Sequence, residues 1–84
     1  MTALTQVLVV EDEAVIRTAL KRLLERHEYQ VSEAGSVKES LDNFNMDDFD
    51  VIISDLRLPG APGTDLIKAT STPVLIMTSY SSIR

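Results

Sequence analysis

Apolar and polar positions change period several times along the 84 residues, and each change marks an element. Val7-Leu8-Val9-Val10 is a continuous apolar run bounded by polar residues, which reads as a strand buried in a parallel sheet. From Ala14 the period becomes helical. Ile16, Ala19, Leu20, Leu23, Leu24 and His27 share one face, while Arg17, Lys21, Arg22, Glu25 and Arg26 take the other. The spacing predicts a helix from Ala14 to His27. Tyr29 to Ala34 alternates, as a strand at a sheet edge does, and Gly35 breaks it. Ser36-Val37-Lys38-Glu39 has the spacing of a capping box and opens a short helix expected to turn Val37, Leu41 and Phe44 inward. Asn45 to Asp48 closes that helix.

Phe49 to Asp55 is the next strand, with Val51, Ile52 and Ile53 consecutive and β-branched. Pro59, Gly60, Pro62 and Gly63 make a stiff, tightly turned loop. A helix with Leu66 and Ile67 then starts at Gly63 or Thr64, with room for roughly two turns. Pro73 to Thr78 is a fourth strand, its proline at the tolerated first position. The order β-α-β-α-β-α-β, with short helical crossovers, predicts an α/β domain built on a parallel sheet with right-handed connections. No repeat, low-complexity stretch or linker interrupts it, so the chain reads as one small domain.

Charge and composition narrow the function. Eight basic against thirteen acidic residues leave a net charge of −5, which argues against nucleic-acid binding by this segment. With no cysteine, disulfides, thiolate metal sites and cysteine nucleophiles are excluded. The apolar runs are too short to span a bilayer, and Met1 to Gln6 has neither a basic start nor an apolar signal core. Cytoplasmic residence is the expectation.

The candidate chemistry lies at the strand ends. Glu11 and Asp12 follow the first strand, Asp55 ends the third and Thr78 ends the fourth. In a parallel sheet these carboxyl ends share one edge, where α/β folds bind their ligands. Crowded carboxylates repel, and a hard divalent cation relieves that repulsion. Mg²⁺ takes few carboxylates, keeps its waters and bridges readily to phosphate oxygens. It would orient the Asp55 carboxylate and neutralise an incoming phosphoryl group, most of what phosphoryl transfer requires. Asp55 is then the nucleophile, forming an acyl phosphate, and Thr78 is a hydroxyl donor to a phosphoryl oxygen.

Three segments carry a family resemblance: Val7-Leu8-Val9-Val10-Glu11-Asp12-Glu13, Ser54-Asp55-Leu56-Arg57-Leu58-Pro59-Gly60 and Pro73-Val74-Leu75-Ile76-Met77-Thr78-Ser79-Tyr80. Together they resemble the receiver domain of a bacterial two-component response regulator, over essentially the whole chain. The wording is similar to receivers that precede a transcription-activating ATPase domain. The resemblance implies a doubly wound, flavodoxin-like sheet, here with strand order 2-1-3-4, a signalling module rather than an enzyme, and a sensor histidine kinase as phosphoryl donor to Asp55. It further implies that Glu11, Asp12, Asp55 and the Arg57 backbone carbonyl hold Mg²⁺, and that Thr78 is the switch hydroxyl. Aspartate-nucleophile phosphatases share the chemistry but carry a second aspartate two residues on, where this chain has Arg57.

The family's fifth strand, with its phosphoryl-pairing lysine, and its last helices have no counterpart in these 84 residues. Lys21, Lys38 and Lys68 fall on helices rather than at strand ends. Without those elements Val74 to Met77 is expected to be a bare sheet edge, with an apolar sheet face exposed beside the first helix. A homodimer or higher assembly covering both is the expectation. The alternative function is a non-signalling scaffold or dimerisation module that keeps only the half-site.

Overall fold

The structure, a computed structural model, describes residues 4–58 and 60–77. Four parallel strands form one sheet: β1 (Gln6–Val10), β2 (Gln30–Ala34), β3 (Val51–Asp55) and β4 (Val74–Met77). Helices α1 (Ala14–Arg26), α2 (Val37–Asn43) and α3 (Asp65–Ala69) connect them, with a 3₁₀ turn at Met46–Asp48 before β3. The strand order is β2-β1-β3-β4, as the resemblance implies. The chain moves outward from β1 to β2, then reverses to β3 and β4. That reversal makes the boundary between β1 and β3 the switch point, where a doubly wound sheet opens a crevice at its carboxyl edge.

β1 lies in the interior of the sheet, paired on both sides, which is why its residues form an unbroken apolar run. Leu8 pairs with Ser32 on one side and Ile52 on the other. Val7, Leu8, Val9 and Val10 are all buried. Leu8 and Val10 join Ile52, Ala34, Val37, Met46, Phe49 and Leu66 in one core cluster. Val7 and Val9 alternate to the opposite face of the sheet. The rings of Phe44 and Phe49 meet edge-on, with centroids 5.7 Å apart.

The helices depart from the sequence reading in particular places. On α1 the half-buried apolar stripe is Ile16, Leu20 and Leu24, whereas Ala19 and Leu23 are exposed. A helix lying on one face of a sheet buries a stripe at i, i+4 spacing, and residues at its flanks stay wet. On α2 Ser40 is buried and Leu41 is 47% exposed, so the inward position is the third residue after Val37 rather than the fourth. The Ser40 hydroxyl satisfies itself by donating to the Ser36 carbonyl. The capping box is present in modified form. Ser36 Oγ accepts from the Glu39 amide at 3.0 Å, but Glu39 Oε1 reaches one residue further, to the Gly35 amide. Helix α3 is five residues, shorter than the two turns expected, because Thr64 serves as its cap and Thr70 is already extended.

Candidate functional site

β1 carries the chain directly into Glu11, whose amide still pairs with the Ala34 carbonyl at 3.0 Å. That bond keeps residue 11 on the sheet, and Glu11 is 1% exposed. Asp12, one residue on, has left the sheet and is exposed. β3 delivers Asp55 opposite Met77 in the β3–β4 register, and Asp55 is 2% exposed. Its Oδ1 accepts from the Arg57 amide at 3.2 Å, which fixes the orientation of the carboxylate. The Arg57 side chain is exposed.

Each of Glu11, Asp12 and Asp55 offers a carboxylate oxygen, and the three lie within 4.8 Å of one another. Residues far apart in sequence thus converge, as the strand-end argument predicts. Thr78 lies outside the described residues, as does Pro59.

The cluster is electrostatically loaded. Glu11 Oε2 accepts from the Glu13 amide at 3.0 Å, while Oε1 is buried with no hydrogen-bond partner among the described residues. Burial, and to a lesser degree the neighbouring Asp12 and Asp55 carboxylates, push the Glu11 carboxyl up to about 7; the Glu13 amide pulls the other way. A buried carboxylate with one orphaned oxygen, facing two further carboxylates, has the donor set of a hard, oxygen-ligated divalent cation. The residues fit such an ion.

Two contributors escaped the sequence reading. Gly63 follows the loop that leaves β3, and its amide donates to the Leu56 carbonyl at 3.3 Å. A Cβ there would stand 2.2 Å from the Asp55 carbonyl oxygen and 2.4 Å from Ser54 Oγ. Only glycine lets the loop lie this close behind the carboxylate. By spacing, Arg17 falls on the face of α1 opposite the apolar one. Instead it is half-buried, and its Nη1 donates to the Glu11 carbonyl at 2.7 Å. Neither contact leaves a signal in spacing, since both depend on how loops and helices fold back onto the sheet.

The comparisons with known proteins agree with this geometry. The family model described as the response regulator receiver domain matches residues 7–84. The transcriptional regulatory protein ResD of Bacillus subtilis is 34% identical over 79 residues, covering 89% of this chain and 33% of its own length. The sensory transduction protein RegX3 of Mycolicibacterium smegmatis is 34% identical over 83 residues, covering 94% of this chain and 36% of its own length. The chain therefore spans about a third of the length of these relatives. Among solved structures, a response regulator receiver domain protein from Clostridium thermocellum superposes with TM-score 0.81 at 33% identity, over 95% of this chain and 69% of that one. The chemotaxis response regulator CheY4 of Vibrio cholerae gives TM-score 0.80 at 32% identity, over 88% and 68%. With the 2-1-3-4 parallel sheet and the acidic strand ends already in place, a family match running from the first strand to the last residue puts this chain in the response regulator receiver domain family.

Proposed function

We propose that the chain is the phosphoacceptor domain of a two-component response regulator, and that Asp55 takes the phosphoryl group from a sensor histidine kinase. The observation that carries this reading is the convergence of Glu11, Asp12 and Asp55 at the switch point of the sheet. An Asp55 carboxylate oxygen attacks phosphorus, the P–N bond to the kinase histidine breaks, and the imidazole nitrogen takes the electron pair. The product is an aspartyl phosphate. Glu11, Asp12, Asp55 and the Arg57 carbonyl would hold Mg²⁺, which supplies charge neutralisation for the phosphoryl oxygens. Burial keeps bulk water from Asp55, and the Arg57 amide holds its carboxylate for attack. Thr78 is the switch hydroxyl in this scheme, by its position after β4. The regulator that contains the domain acts in the cytoplasm on transcription, in keeping with the printed name of ResD. No helix among the described residues is long and apolar enough to cross a membrane.

Intact-mass measurement after incubation with acetyl phosphate and Mg²⁺ tests the reading. One phosphate adduct is expected, absent without Mg²⁺ and absent in Asp55→Ala. An adduct that survives that substitution would move the acceptor elsewhere.

A second reading is favoured by one observation. β4 pairs with no strand on its outer side among the described residues, and Leu75 on it is 58% exposed. A homodimer joined along β4, acting as a scaffold, would cover that edge. Light scattering that finds only monomer at micromolar concentration excludes it.

A further inference from the structure

Glu11 and Asp12 sit on a three-residue connection between β1 and α1, and such a segment holds a carboxylate in place only if its backbone is tied down. The Glu13 cap makes no side-chain hydrogen bond to the helix it opens. The ties come from Arg17. Its amide donates to the Glu13 carbonyl at 2.9 Å, and its guanidinium Nη1 donates to the Glu11 carbonyl at 2.7 Å. One residue of the first helical turn therefore binds both ends of the acidic connection. The guanidinium is held in turn by Glu33 on β2, with Nε 3.4 Å from Oε1. Both side chains are partly buried, at 23% and 34% exposure.

Every polar atom of residue 11 except Oε1 is tied. Its amide goes to Ala34, its carbonyl to Arg17 and its Oε2 to the Glu13 amide. With the backbone fixed on both sides, the free oxygen of Glu11 stays with Asp12 and Asp55. Gly35 lies beside the guanidinium: a Cβ there would stand at ordinary contact distance from Arg17 Nη1, 3.5 Å, and more tightly against Glu39 Oε1, at 3.2 Å.

We propose that Arg17 is a positioning residue for the acidic pocket. It acts through the Glu11 backbone and is itself oriented by Glu33, so that cation affinity at Glu11, Asp12 and Asp55 depends on an ion pair outside the pocket. The proposal rests on the reading of that pocket as a divalent-cation site. Groups that orient a ligand from outside its own contacts commonly change metal affinity by about 10–100-fold.

The test is calorimetric titration of the chain with MgCl₂, with hydrogen exchange at the Glu13 amide followed by NMR on the metal-free protein. In Arg17→Ala, Mg²⁺ affinity is expected to fall about tenfold or more. Arg17→Lys retains the charge but cannot serve Glu11 and Glu33 together, so it should recover only part. Glu33→Gln keeps the Glu11 contact and should weaken binding by less than Arg17→Ala. Lys21→Ala, on the same helix, should leave affinity unchanged. In Arg17→Ala the Glu13 amide should exchange faster even without metal, because its acceptor is no longer held. Mg²⁺ affinity within twofold of wild type in Arg17→Ala overturns the proposal. If Arg17→Ala does not fold, wild-type affinity in both Arg17→Lys and Glu33→Gln overturns it equally. Absence of Mg²⁺ binding in the wild-type chain would instead strike the cation reading, and the Glu13 exchange rate then decides the role of Arg17 alone.

Discussion

Glu11→Gln is the substitution that isolates the electrostatic load of the pocket. In the folded chain the Glu11 carboxyl is raised from 4.5 to about 7, mainly by burial. Below the lower value the group is protonated in both the folded and the unfolded chain, and its burial costs little. As pH rises through 4.5 the unfolded chain releases the proton while the folded chain retains it, so stability declines. The decline ends once the pH passes the folded value and both states are ionised. At 1.36 kcal/mol per pH unit, the whole interval removes about 3 kcal/mol from the metal-free protein. That is a large share of the roughly 4–13 kcal/mol expected of a chain this size. Glutamine keeps the shape and cannot ionise. The two proteins should therefore be nearly equal in stability at acid pH, with the variant ahead by about 3 kcal/mol at mildly alkaline pH. Urea unfolding at a series of pH values, without divalent cations, measures the difference between them. The pairing cancels the contribution of the other carboxylates. Saturating Mg²⁺ should then restore the wild type at alkaline pH by mass action and help the variant less. A difference between the two proteins that stays constant across the pH series would refute the assignment of the strain to Glu11.

Three further outcomes follow from particular contacts. Gly63→Ala places a Cβ against the Asp55 carbonyl and Ser54 Oγ; urea unfolding should show a loss of about 1–3 kcal/mol, with slower acetyl phosphate labelling of Asp55. Leu66 is fully buried on the five-residue α3, so Leu66→Ala should cost about 2–5 kcal/mol by the same assay. Ser36→Ala removes the hydroxyl that caps α2 and should cost about 1 kcal/mol, read as a lower thermal midpoint.

The sheet was legible because a doubly wound sheet buries its inner strands on both faces, and only an unbroken apolar run satisfies that. Val7–Val10 and Val51–Ile53 have no other economical reading. Glu11, Asp12 and Asp55 were legible for a related reason: strand ends in a parallel sheet share an edge, so sequence position maps onto spatial position without any knowledge of packing. Helix faces were harder. Ala19, Leu23 and Leu41 fit the helical period, but period alone cannot tell the centre of a buried stripe from its flank. Ser40 turns inward because its hydroxyl has the Ser36 carbonyl to bond, a local solution that hydropathy does not register. The Met46–Asp48 turn also reads as a polar helix end, yet Met46 is buried in the core. Arg17 and Gly63 were misread or passed over because what matters is their distance to a backbone oxygen, which only the folded chain defines.

Burial divides the three acids into different roles even though they form one cluster. Glu11 and Asp55 come from adjacent parallel strands, where Val10 pairs with Ser54, so they flank the switch point at nearly the same depth. Both are sealed from water, and each has one oxygen tied by a backbone amide two residues further along. The same local turn is used twice, once at the end of each strand. Asp12 is exposed and escapes that constraint. Asp12 would hold a divalent cation from the solvent side and Glu11 and Asp55 from the buried side, which suits an ion that keeps several of its waters. Of the buried pair, Glu11 carries the desolvation cost in the metal-free protein. A cation held there would offset that cost: the Glu11 carboxyl, which burial raises to about 7, would give up its proton on binding, so Mg²⁺ affinity should rise with pH.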